Sequence, residues 1–346
     1  MIVDPVTECY DLNASGHINL HETFPSLEDD LRNYFIRCNK QGVDPIIDFT
    51  NEGYGLYANG AWPVIESVAQ ECGIEMNKLT LCISDMFASY PCNTMPLVND
   101  KWLQVYKPTS EPAVTDRLFK KFGHFVGRVS PDRMAMHVLL SKYQDNMWYS
   151  MWYGWDFDDN FFQKVKNYLP RHLDKGAILG ECRKVAEQLP QKNTYETPSK
   201  DDFYEWPRQV EPLHFYYKNM FVDIVQETDL HTCFTTEKTL RPIIFKTPFL
   251  LMAGKGTLQK LKDIGFKTFD YWWSEDYDNF SNRDRMEKIL DIVEWISVQY
   301  NVDKFKEEMT DILEHNYNHY VNQTWIPMAK EMGVPDSAFG DTRTWE

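Results

Sequence analysis

The sequence predicts an α/β fold made of two Rossmann-like units, and three observations lead there. Residues 45–85 and 221–269 each alternate short apolar strands with helices, and each strand ends in polar or glycine residues. The length of 346 residues exceeds one typical core and suits two domains of ordinary size. Apolar residues make up 43% of the chain, enough to fill both cores.

The elements follow in order. Glu22, Glu28, Asp29 and Asp30 interrupt any hydrophobic run, so residues 1–40 read as an acidic, irregular lead-in, too polar for a signal peptide or a membrane span. Pro45-Ile46-Ile47-Asp48-Phe49 is a first strand. Trp62 to Cys72 has helical spacing and stops at Gly73, and Lys78 to Asp85 is a second strand. A parallel sheet binds ligands beyond the carboxyl ends of its strands, where Glu52 and Asp85 fall. Residues 86–115 read as a long connection, Asp116 to Phe122 as a helix, and His124 to Arg128 as a strand. Ser130-Pro131-Asp132-Arg133 opens a further helix, with serine as cap, proline in the first turn and aspartate at the positive end. Met147 to Trp155 is strand-like and Phe161 to Leu169 helical. Residues 190–212 carry four prolines and read as loops.

The clearest unit begins at Phe221. A strand over 221–226, a loop over 227–234, a helix over 236–245, a strand over 248–254, a helix over 256–264 closed by Gly265 and a return to the sheet at Phe266-Lys267-Thr268-Phe269 form the second half of a Rossmann-like domain. Amphipathic helices over about 282–299 and 303–321 close the chain. The expected domains are therefore 1–120, 121–285 and a helical tail, 286–346, that packs back across the junction.

The formal net charge of −16 argues against non-specific binding to nucleic-acid phosphates. Seven cysteines, an odd number with no C-x-x-C pair, argue against a disulfide framework or a zinc ribbon and for reduced thiols in cytoplasm. Aromatic residues reach 15%, with 11 Trp. They fill cores first, although flat aromatic faces also serve sugar-handling proteins.

Thr235-Thr236-Glu237-Lys238-Thr239-Leu240-Arg241-Pro242 is the stretch richest in chemistry. A threonine-capped helix start with exposed N–H groups is an anion site, and Lys238 and Arg241 add positive charge suited to a diphosphate. Glu237 offers two acceptor oxygens suited to the vicinal hydroxyls of a ribose. The same residues equally describe a capped surface helix with glutamate at its favourable end.

From Phe234 to Phe269 the pattern Thr-Glu-Lys-Thr-x-x-Pro-Ile, then Pro-Phe-Leu, Gly-x-x-x-Leu and Gly-Phe-Lys-Thr-Phe, resembles a family of viral, phage and bacterial glycosyltransferase-like proteins. Its Thr-Glu-Lys core is similar to the donor motif of α-1,3-fucosyltransferases, which are GT-B enzymes with two Rossmann-like domains facing a cleft. The resemblance implies that Glu237 holds a nucleotide ribose and Lys238 its diphosphate. It covers about 221–280 and thins over 44–85 and 119–140. The sequence after Lys238 departs from the fucosyltransferases, so fucose is not implied. Phe125 to Arg133 looks like the loop that opens the donor domain of the same group, which suggests Arg128, with Arg133 second, as a bidentate brace for a diphosphate. A first-domain glutamate serves these enzymes as general base. Glu52, between Gly53 and the strand, is the candidate, with Asp85 in reserve.

Two further patterns weigh less. Asp156-Phe157-Asp158 has the D-x-D form that binds manganese in another transferase fold, but it is short and equally a solvated loop. His315 and His319 lie one helical turn apart among Tyr317, Tyr320 and Trp325, and read as packed histidines. The expected activity is a cytoplasmic, metal-independent glycosyltransferase moving a sugar from a nucleotide-sugar donor to a hydroxyl acceptor, a glycan or small molecule. A phage DNA-modifying transferase acting on hydroxymethylated bases and a non-catalytic nucleotide- or sugar-binding protein are the alternatives.

Overall fold

The computed structural model describes residues 10–11, 24–49, 61–83, 90–96, 100–108, 119–154, 157–194, 213–334 and 343–345. The first unit contains β1 (Tyr10–Asp11), α1 (Phe24–Gln41), β2 (Ile46–Phe49), α2 (Ala61–Glu71), β3 (Thr80–Ile83) and β4 (Asn93–Pro96). Its four strands are parallel, in the order β1-β2-β3-β4. The lead-in expected over 1–40 is corrected here, because α1 is a helix of 18 residues. Leu27, Leu31, Tyr34, Phe35 and Cys38 recur at helical spacing and are buried against α2 and β3. Each large one contributes about 1.5–3 kcal/mol by leaving water. The acidic residues between them lie on the outer face. The Tyr34 hydroxyl donates to the carbonyl of Ile46 (2.8 Å) and accepts from its N–H (2.9 Å), which ties α1 to β2.

After α3 (Asp100–Leu103) and β5 (Gln104–Tyr106) comes the second unit. It contains β6 (Lys120–Arg128), α4 (Pro131–Leu140), β7 (Met147–Tyr153), α5 (Asp159–Val165), α6 (Lys175–Glu187), β8 (Gln191–Lys192), α7 (His214–Lys218), β9 (Met220–Gln226), α8 (Glu237–Ile244), β10 (Phe249–Met252) and α9 (Thr257–Asp263). Then follow α10 (Asn282–Ser297), α11 (Val302–Glu308), α12 (Thr310–Val321), α13 (Trp325–Glu331) and β11 (Arg343–Trp345), which pairs in parallel with β5. The sheet order is β10-β9-β6-β7-β8, parallel except for β8 at one edge. All seven residues of β9 are buried, as expected of a strand covered on both faces. The chain leaves β6 for β7 on one side and returns to β9 on the other, so the direction of winding reverses between β6 and β9. In open α/β sheets, ligands gather outside the carboxyl ends of the strands at such a point.

Three other expectations change. Lys120 to Phe122 belongs to β6 and not to a helix, because Phe122 sits in ladders to both Val222 and Met147. Phe266 to Phe269 does not rejoin the sheet. Its backbone is held by side chains instead: Asn316 accepts from the N–H of Lys267 and donates to its carbonyl (both 2.8 Å), and Glu275 accepts from the N–H of Phe269 (2.8 Å). The single helix expected over 303–321 is two, α11 and α12, meeting at the buried Met309. Among the described residues no helix is long and apolar enough to cross a membrane.

Candidate functional site

The start of α8 lies beyond the carboxyl end of β9. Thr236 is its N-cap, and its hydroxyl accepts from the N–H of Lys238 (3.4 Å). Within the first turn, Lys238 Nζ donates to Glu237 (2.8 Å) and to the Thr236 hydroxyl (3.0 Å), and from the next turn Arg241 Nη2 lies 3.8 Å from the same Glu237 oxygen. All three charged side chains are largely buried. The candidate donor residues Thr236, Glu237, Lys238 and Arg241 therefore form one compact charge cluster.

Exposed N–H groups were expected here, and the structure corrects that point. The first turn already holds an anion from within the protein. Glu227, fully buried, accepts from the N–H of Thr236 (2.9 Å) and of Thr239 (3.2 Å), and from both threonine hydroxyls (2.6 Å each). A buried carboxylate needs such partners, and a helix start supplies them. Any phosphate at this site would be gripped by Lys238 and Arg241 more than by backbone amides.

The neighbouring residue, Gln226, faces the other way, as alternate residues leaving a strand do. Its Nε2 donates to Asp132 (2.9 Å) in the first turn of α4. Arg133 is 3% exposed and donates to the carbonyl of Arg128 (2.9 Å), the carbonyl of Gln226 (3.3 Å) and the hydroxyl of Thr228 (3.3 Å). The guanidinium thus sews the end of β6 to the end of β9 across the reversal point. Arg128, at the last position of β6, is half-buried there. Ser130 does not cap α4 through its side chain; its hydroxyl donates to Asp132 (2.6 Å).

The surrounding loops are packed tightly. A Cβ at Gly254 would meet the carbonyl of Thr232 at 1.8 Å, so the loops after β9 and β10 touch backbone to backbone and only glycine fits. Asp229 organises the first loop by accepting from the N–H of His231 (2.8 Å) and the hydroxyl of Thr232 (2.6 Å). The buried Arg285 donates to the carbonyls of Ala253, Tyr277 and Phe280 and fixes the end of β10. From α3, whose Trp102 is buried in the core of the second unit, the indole N–H donates to the carbonyl of Thr235 (3.2 Å), which steadies the entry to α8.

Beneath α8 lies a second buried acid. Asp223, in β9, accepts from the Tyr217 hydroxyl (2.6 Å). Burial pushes its carboxyl up to about 7, against the opposing effects of Tyr217 and of the Arg241 charge. On the other flank His124 and His137 stack at 6.2 Å, and burial pushes them down to about 3 and about 4.

Of the residues singled out in the sequence, Thr236, Glu237, Lys238 and Arg241 come together, and Arg128 and Arg133 border the adjoining loop of β6. Glu52, Asp85 and Asp156 lie outside the described residues. Asp158 caps α5, accepting from the N–H of Phe161 (2.7 Å). His315 and His319 are engaged with the carbonyls of Gly265 and Ile264, at 2.9 and 2.7 Å. Sequence reading missed Glu227, Gln226, Asp223 and Arg285. For Glu227 the one available signal was an acid directly after the strand, with Thr228 next to it and Thr235-Thr236 eight and nine residues on.

No family model matches the chain, and a search of curated proteins found no match. Among solved structures it is similar to an α,α-trehalose-phosphate synthase (UDP-forming) from Burkholderia vietnamiensis. The likeness spans 91% of this chain and 72% of that one, at 9% identity and a TM-score of 0.44. A likeness of that degree leaves the fold to be read from this chain's own strands: an α/β arrangement whose two larger sheets are parallel apart from β8, the second carrying its charge cluster beside the point where the winding reverses.

Proposed function

We propose that this chain is a nucleotide-sugar-dependent glycosyltransferase of GT-B-like architecture. The observation that carries the reading is the Glu237–Lys238–Arg241 cluster at the start of α8, beyond the carboxyl end of β9 and beside the reversal point. Lys238 and Arg241 present fixed positive charge to a diphosphate, and Glu237 presents acceptor oxygens to ribose hydroxyls. In the structure these groups satisfy one another, and a nucleotide exchanges that internal ion pair for its own phosphates. Fixed positive groups stabilise a departing diphosphate in the role a metal ion plays elsewhere, so the transfer needs no metal. Glu52, with Asp85 in reserve, removes the proton of an acceptor hydroxyl on a glycan or small molecule in the cytoplasm.

The test is calorimetry with UDP and GDP. Glu237→Ala and Lys238→Ala should each weaken binding at least tenfold, about 1.4 kcal/mol. Unchanged affinity in both folded variants overturns the assignment. Transfer should survive EDTA, and Glu52→Gln should lower turnover by roughly 10²–10⁴ with donor affinity within about threefold.

A second reading, a nucleotide-binding protein without turnover, is favoured by one feature. Glu227 already fills the amide-lined start of α8, which leaves fewer donors to aim at charge developing in a transition state. Retained UDP or GDP binding with no transfer to any acceptor selects it.

A further inference from the structure

A groove of about 450 Å³, which shares no lining residue with the α8 cluster, lies between the segment 272–280 and α10. Its size falls within the range of small-molecule sites, roughly 300–1,000 Å³. Trp272, Trp273, Tyr277, Phe280 and Trp295 line it, together with Ser274, Asp276, Lys288 and Asp291. Tyr277, 1% exposed, and Trp273, 6% exposed, are buried beneath it, and the other rings reach its surface. Trp295 and Phe280 are each 40% exposed, and Tyr271, next in sequence to the groove, is 84% exposed. Contiguous exposed apolar surface on a soluble chain marks a binding site more often than chance.

The rings are held in place before any ligand arrives. Trp295 stacks on Phe305 at 6.0 Å and 24°, so its exposed surface is the opposite face and the edges. Trp272 packs edge-on against Tyr271 at 5.1 Å, and its indole N–H reaches toward Glu308 (3.5 Å). Trp273, 6% exposed, has a buried Nε1–H with no acceptor among the described residues. Rigid rings lose little conformational entropy on binding, which favours weak ligands with many small contacts.

We propose that this groove is a saccharide-binding site, separate from the nucleotide site and independent of whether the chain transfers sugar. The polar lining selects among ligands. Asp276 and Asp291 accept, Lys288 donates, and the Ser274 hydroxyl does both. A sugar ring presents hydroxyls that both donate and accept around its rim, and C–H faces that lie flat on indole. A phosphorylated ligand would meet two carboxylates against one ammonium, in a chain of net charge −16, and is disfavoured. An organic cation would meet Lys288, which already pairs with Asp291 at 3.1 Å. A neutral oligosaccharide suits all of these groups.

The experiment is calorimetric titration of the full chain with maltotriose, cellotriose and chitotriose. At least one should bind with a millimolar or tighter constant. Trp295→Ala should weaken that trisaccharide at least tenfold, Trp295→Phe should recover most of the loss, and Asp276→Asn should weaken it severalfold. Lys238→Ala should leave trisaccharide affinity unchanged, which separates this site from the nucleotide site whatever happens there. Thermal midpoints of the variants within a few degrees of the parent show that they remain folded. No binding by any of the three, or a Trp295→Ala variant that binds as well as the parent, overturns the proposal.

Discussion

The starts of α4 and α8 look alike in sequence, and the structure uses them differently. Each begins with a hydroxyl residue followed within three positions by an acid and a base: Ser130, Asp132 and Arg133 in one, Thr236, Glu237 and Lys238 in the other. At α4 the base turns inward, and all its described bonds go to Arg128, Gln226 and Thr228. At α8 the base pairs with its neighbouring acid at the rim, and a third residue, Glu227, fills the helix start. One start is a clamp between strands and the other is a charge cluster on a buried anionic support. A cap-acid-base signature therefore does not distinguish architecture from binding. The direction taken by the basic side chain does.

The largest effect expected from breaking this contrast is at Glu227. Glu227→Ala strands four donors at the start of α8, two of them backbone, and should cost about 3–5 kcal/mol in urea unfolding. Glu227→Gln should cost about half as much. A loss below about 1 kcal/mol would show that the start of α8 is not supported from beneath.

Next comes a split between the two basic residues. Arg133→Met leaves the carbonyls of Arg128 and Gln226 without that donor and should lower stability by about 2–4 kcal/mol. Lys238→Ala should cost less, about 1–2 kcal/mol, because Arg241 still faces the buried Glu237, while weakening UDP or GDP at least tenfold. The reverse pattern would exchange the two roles.

Smaller again is a pH effect. His124 and His137 are held neutral in the fold, at about 3 and about 4. Between those values and the ordinary 6.5 the unfolded chain binds more protons at these positions, so their contribution to stability is lost as pH falls through that window. Asp223 acts in the opposite sense. Its folded value of about 7 lies above the ordinary 3.8, so across the same window the fold holds a proton that the unfolded chain has released, and acidification favours the fold. Asp223→Asn should therefore steepen the loss of stability between pH 6.5 and about 4.5 relative to the parent, read from urea midpoints at several pH values. An unchanged slope would mean that Asp223 is ionised in the fold.

The smallest expected effect sharpens the comparison most cheaply. Ser130→Ala should cost under about 1 kcal/mol, since no side-chain cap bond is lost there and Asp132, which loses the Ser130 hydroxyl, keeps its bond from Gln226. Thr236→Ala should cost about 1–2 kcal/mol, since that hydroxyl both caps α8 and donates to Glu227. Equal costs would dissolve the distinction between the two starts.

The same contrast explains what the sequence made legible. The run β9–α8–β10–α9 was readable because its strands are short and mostly apolar, Asp223 and Gln226 being the polar residues of β9, and its helices are punctuated locally, by Thr236 before α8, Gly256 before α9 and Gly265 after it. The helix α1 was obscured because Glu28, Asp29 and Asp30 draw attention from the buried spacing of Leu27, Leu31, Tyr34 and Phe35 that is present in the same residues. The segment at Phe266 alternates like a strand, yet its backbone partners are Asn316, 49 residues from Lys267, and Glu275. Nothing near Phe266 announces them. The charge cluster was legible as residue types, whereas Glu227 was not, because its role depends on a loop of eight residues folding back onto it.

The Arg133 clamp has one more consequence. It joins the ends of β6 and β9 across sequence separations of 93 and 95 residues. Once two strand ends are fixed to each other, the length of chain between them has little influence on their geometry, because closing a longer loop costs only about 0.6 kcal/mol for each doubling. Insertions between β8 and α7 are thus expected to leave the ends of β6 and β9 in register.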